Sequence, residues 1–152
     1  MADTIKKQII QDILTALANI LVSNGFETNL GQNVLATRKQ VDPDILPFVV
    51  IWPQIEEATA VHGRSNQDFP LQIEGHAAFG AAEPWAVAED MQGDIIKLMT
   101  SKSAKPTPLA DSIVYTEGGV DEYPEPGEIA IAVRVNFNIR YKTLAGNPFN
   151  QT

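Results

Sequence analysis

The chain has 152 residues, 11 Lys and Arg against 19 Asp and Glu, a formal charge of −8 and no cysteine. With 44% apolar and 20% charged residues it has the make-up of one folded domain and not of a disordered chain. The acidic balance argues against a dedicated nucleic-acid surface, and zero cysteine removes disulfides, thiol nucleophiles and Cys-based zinc sites together. The opening Met1-Ala2-Asp3-Thr4 lacks the basic and apolar regions of a signal peptide, and no apolar run approaches the ~18 residues of a membrane span, so a soluble protein is expected.

Ile5, Ile9, Ile13, Leu17, Ile20 and Leu21 recur at helical spacing. They predict a helix from about Thr4 to Ser23, capped by Asp3 or Thr4 and stopped by Asn24-Gly25. Short extended pieces are expected at Phe26–Leu30 and Val34–Arg38, around a Gly31-Gln32-Asn33 turn. Asp42–Pro47 reads as a proline-fixed turn. Phe48–Trp52 is apolar without alternation, as in a strand buried on both faces, and Pro53 marks a bulge or an edge.

After a polar reversal at His62–Gln67, Phe69, Leu71, Ile73, Gly75, Ala77 and Phe79 alternate with more polar residues. This suggests a long antiparallel hairpin, Phe48–Val61 against Phe69–Phe79. A second helix starts at Pro84, with a stripe of Trp85, Ala88, Met91 or Gln92, Ile95 and Met99 and close packing expected at Gly93. A second hairpin begins at Ile113, with a bulge or kink at Gly118-Gly119 and a turn at Tyr123–Glu128. Its last strand has the strongest pattern of all: Ile129, Ile131, Val133, Val135, Phe137, Ile139 and Tyr141 face one way, while Arg134, Asn136, Asn138, Arg140 and Lys142 face the other.

These elements give an α+β fold of two layers. Two helices pack on one face of a mainly antiparallel sheet built from two long hairpins, and the other face is polar and uncovered. One domain spans 1–152, with a flexible C-terminal tail from about 143.

Catalytic signals are weak. His76 shares a strand face with Glu74 and Gln72, but two potential ligands do not make a metal site, and the pattern is that of a solvated strand face. No nucleophile elbow, phosphate-cradling loop or zinc-protease motif is present. The carboxylates Glu56-Glu57, Glu89-Asp90 and Asp121–Glu128 read as solubilising and edge-protecting, Arg134, Arg140 and Lys142 as a partner-facing stripe, and Trp52 and Trp85 as core.

In chain order stand a leading helix ending in Asn24-Gly25-Phe26, then Val41–Pro47 running into Phe48–Trp52, then Glu56-Glu57 and the turn His62-Gly63-Arg64. Phe69–His76, the second helix, and Glu122–Gly127 leading into Val133–Lys142 complete the order. From about Ile5 to Phe149 it resembles the tail terminator (tail completion) proteins of tailed bacteriophages. The resemblance implies a hexameric ring, a homo-oligomer at the neck end of the virion tail, assembled in the host cytoplasm. Such a ring caps the head-proximal end of the tail tube, ends its polymerisation and presents a surface to the head–tail connector or neck protein. Genomic DNA passes through its channel without specific binding. The resemblance implies no enzyme, no cofactor, no metal and no membrane contact, and offers no catalytic residues. By position, subunit contacts are expected at Glu56, Glu57, His62, Arg64, Arg134 and Arg140. Other readings are a further neck, tube or connector subunit, a small metal-dependent hydrolase using Glu74 and His76, and a generic ligand-binding domain.

Overall fold

The computed structural model describes residues 2–39 and 42–152. Val41, first residue of the Val41–Pro47 stretch, lies outside them, as does Met1. Among the described residues two helices pack against a six-stranded mixed sheet, an α+β architecture. The elements are α1 (Ile5–Leu17), β1 (Val34–Ala36), β2 (Phe48–Pro53), β3 (Glu57–Val61), β4 (Arg64–Ala78), α2 (Pro84–Thr100), β5 (Ser112–Gly119) and β6 (Ala130–Leu144). No helix is long and apolar enough to cross a membrane, among the described residues.

The strand order is β1-β2-β4-β6-β5, with β3 paired to β4 beside β2's end. β1 runs parallel to β2 and every other pairing is antiparallel. The expected two long hairpins give way to a different construction. β3 and β4 turn tightly at His62-Gly63, both in left-handed backbone (φ 47 and 78), which suits the twist of a short hairpin. β2 pairs with the later part of the same β4, from Pro53 opposite Leu71 to Phe48 opposite His76. The reversal expected at His62–Gln67 shrinks to its first two residues, because β4 alternates from Arg64 onward. Gln67 is polar yet points inward, where its amide bonds the Thr143 and Ser65 hydroxyls at 2.9 and 3.0 Å. β5 and β6 are joined by residues 120–129 and carry a bulge between Tyr115 and Glu117.

The core lies between the helices and one sheet face. Ile5, Ile9, Ile13 and Leu17 of α1 and Ala88, Met91, Ile95 and Met99 of α2 meet the odd-numbered residues of β2, β4 and β6. Thr4 caps α1 by accepting the Lys7 amide at 3.1 Å. The helix ends at Leu17, short of Ser23. There the chain turns so that Ile20 enters the core, and the Ile20 carbonyl accepts the amide of Gly31 at 2.8 Å. Phe26–Leu30 forms no strand, and Leu30 opens a 3₁₀ turn whose side chain sits over Gly75.

Further expectations change for local reasons. Gly93 faces solvent with no atom within 4 Å of where a Cβ would stand, so it permits no close packing. Trp85 opens α2 at its exposed end and is 58% exposed instead of buried. From about 143 the chain is held by backbone bonds: Leu144 donates to Asn150, Ala145 to Gly63, and Ile5 at the start of α1 to Pro148.

Candidate functional site

The outer face of the sheet carries the charged residues. β4 and β6 run side by side over their whole 15-residue lengths, so their even-numbered side chains form cross-strand rows. Glu57, Asp68, Arg140 and Ser112 stand in one row, Trp52, Gln72, Asn136 and Glu117 in another, and Val50, Glu74, Arg134 and Gly119 in a third. Polar partners meet within these rows. Arg140 Nε lies 3.2 Å from Asp68 Oδ2, and Asn136 donates to Glu117 at 2.9 Å. At the far end Lys142 lies 3.8 Å from Asp111.

One end of this face is covered. The 120–129 connection folds back over it and Asp121 pairs with Arg134. A groove of about 550 Å³ remains between them, walled by Glu74, His76, Glu122, Glu125, Glu128 and Arg134. Inside it Glu74 accepts from Gln72 at 2.8 Å and lies 3.2 Å from His76 Nε2. The His76 ring stacks on Phe48 at 4.4 Å. Phe48 and Val50 are buried on this outer side, so β2 is shielded on both faces as its composition predicts. Among the described residues no three His, Cys, Asp or Glu side chains are grouped so that they could hold a metal.

The six positions expected to make subunit contacts fall into four places. Glu57 and Arg140 line a second groove of about 560 Å³, with Thr59, Asn66, Asp111 and Lys142. Arg134 belongs to the first groove and is already engaged by Asp121. His62 and Arg64 stand at the exposed tip of the β3–β4 turn. Glu56 is apart from all of these, since its carboxylate accepts the hydroxyl of the inward-facing Tyr141. Burial of Tyr141 first, and then its bond to Glu56 and that carboxylate's charge, push the phenol pKa well above its ordinary value.

Two structural roles escape a periodicity argument. Asp94 is 3% exposed and accepts from the Glu27 amide at 3.1 Å, the Thr28 amide at 2.8 Å and the Thr28 hydroxyl at 2.6 Å. Its position beside Ile95 and three residues after Met91, within the apolar stripe, is a signal legible in the sequence. Lys97 supports the same segment by donating to the Gly25 carbonyl at 3.1 Å and lying over the Phe26 ring. No protein-family model matches the chain, and no curated protein matches it in sequence.

Proposed function

We propose that this chain is a structural subunit of a phage virion. In this reading identical copies, six by the family resemblance, form a ring on the head-proximal end of the tail tube. The ring ends tube growth and offers its other side to the head–tail connector. The observation that supports this best is the β3–β4 tip. Every residue from Glu57 to Arg64 is exposed, and Ile55 just before it is 88% exposed. An arm of this kind, carrying Val61 and Ile55 into solvent, has the form of a contact element reaching for a neighbour.

The mechanism needs only complementary surfaces. One ring face would reproduce the contact that tube subunits offer one another, and the opposite face would lack it, so no further layer adds. No bond is made or broken, and no cofactor takes part. An acidic subunit also suits a channel through which DNA slides, because like charge creates no binding well.

Mass measurement in solution followed by negative-stain imaging with tube protein tests this reading. Single or paired rings that stop tube growth support it. Long stacks of this chain alone would make it a tube subunit, and a purified protein with stoichiometric metal would favour hydrolysis at Glu74 and His76.

A further inference from the structure

We infer that copies of this chain join head to tail through two strand edges, β5 of one copy receiving β3 of the next. The contact takes from the proposed function only that identical copies associate.

Among the described residues the sheet has open edges on both sides, β5 on one and β1 and β3 on the other. β5 is the last strand on one side. On the other side β3 pairs, among the described residues, with β4 alone, so its far edge is open. Natural edges are commonly guarded by Lys, Pro, other charges or bulges; β5 (Ser-Ile-Val-Tyr-Thr-Glu-Gly-Gly) and β3 (Glu-Ala-Thr-Ala-Val) contain no Lys or Pro, and their guards are limited to Glu117 and the bulge beside it on β5 and Glu57 at the start of the short β3. Both strands also present apolar side chains to solvent: Val114 is 52% exposed, Tyr115 37% and Val61 40%.

Direction is compatible with this partner, as it is with the three-residue β1. β3, β4, β6 and β5 alternate in sense, so β5 runs opposite to β3. A second copy placed in the same orientation therefore meets β5 with an antiparallel β3. Faces also match. Val114 stands opposite Asn138 on the outer face, and Val61 lies on that same face, two and four residues on from Thr59 and Glu57. Setting Val61 against Val114 places the small Ala60 opposite the large Tyr115 on the inner face.

The charges agree with this alignment. It carries the His62–Arg64 tip toward Asp111 at the start of β5. Arg64 has no ion-pair partner among the described residues, and Asp111 is half exposed and held only loosely by Lys142 at 3.8 Å. Two-fold pairing of β5 with another β5 would leave every β3 edge bare. Head-to-tail pairing covers β5 and β3 together, and contacts of this kind propagate until they close.

The test uses Val114→Glu and Val61→Glu, each placing a charge on one edge at an exposed position. The wild type is expected to sediment as an oligomer, and each variant alone at the single-chain mass of 16.6 kDa. An equal mixture is expected to give a complex of two chains and nothing larger, because each variant retains the edge the other needs. Val114→Lys combined with Val61→Glu in one chain is expected to restore assembly, which a misfolded variant could not do. A wild-type oligomer that survives Val114→Glu overturns this contact and leaves the ring reading standing. A Val61→Glu variant that remains a dimer overturns it in favour of two-fold β5 pairing. A wild type that stays at single-chain mass at every concentration overturns both.

Discussion

Thr28 Oγ1 donates to the carboxylate of Asp94 at 2.6 Å, and the Thr28 amide donates to the same oxygen at 2.8 Å. The loop after α1 is thereby tied to the buried side of α2, so two elements far apart in sequence share one carboxylate. Hydrogen bonds to a charged group contribute about 1.5–3 kcal/mol each, and stranding buried donors adds to the cost of losing them. Asp94→Ala is expected to destabilise the domain by about 2–4 kcal/mol, with Asp94→Asn between it and wild type. Urea midpoints at neutral pH measure both.

Two glycines are expected to answer the same substitution with opposite signs. A Cβ on Gly31 would stand 2.5 Å from the Ala18 carbonyl oxygen, where the backbone itself must move. Gly31→Ala should cost about 2 kcal/mol or more, as overpacking does. Gly93 is exposed inside α2 with open space around it. There Gly93→Ala restricts the unfolded chain without a clash and should stabilise by about 0.5–1 kcal/mol. Thermal unfolding of the pair reads both signs.

Tyr141 should make the domain sensitive to alkali. Burial, helped by Glu56, raises its pKa above the ordinary value of about 10. The unfolded chain then releases this proton at a pH where the folded chain still holds it. The stabilisation is fully present below about pH 10 and is lost as pH rises from there toward the folded pKa. Tyr141→Phe should flatten that alkaline slope while costing about 1 kcal/mol at neutral pH, the worth of one hydrogen bond. Denaturant titrations from pH 8 to 11 (about one step per unit) separate the two effects.

Arg134 and Arg140 are paired within the chain, but their side chains are 41% and 67% exposed. Exposed ion pairs contribute about 0–1 kcal/mol, so Arg134→Glu and Arg140→Glu should fold with little loss. If these cations also face a neighbour, the reversals should weaken ring formation or tube docking. Co-assembly with tube protein, scored by imaging, checks this. Variants that cap tubes as well as wild type would remove both residues from the interface.

Much of this domain is legible residue by residue. The spacing of Ile5, Ile9, Ile13 and Leu17 sets the buried side of α1, and the alternation from Ile131 to Tyr141 sets the two faces of β6. Both follow from the repeat of a single element, which needs no knowledge of its neighbours. The apolar run Phe48–Ile51 likewise announces a strand buried on both sides. The charged positions are less legible. Arg134, Arg140 and Glu56 are recognisable as polar residues, but their partners Asp121, Asp68 and Tyr141 lie on other elements, brought close only by the sheet.

The chain's own sequence determined which faces are apolar, where β4 and β6 alternate, and that the domain is acidic, because each is a local or additive property. Tertiary structure alone decided that α1 stops at Leu17, that Trp85 stays in solvent, that Asp94 caps a distant loop, and that β3 and β5 are left as edges. Those outcomes depend on which segment lies beside which. Strand order and long-range packing set that arrangement, and a periodic pattern within one segment carries no record of its neighbour.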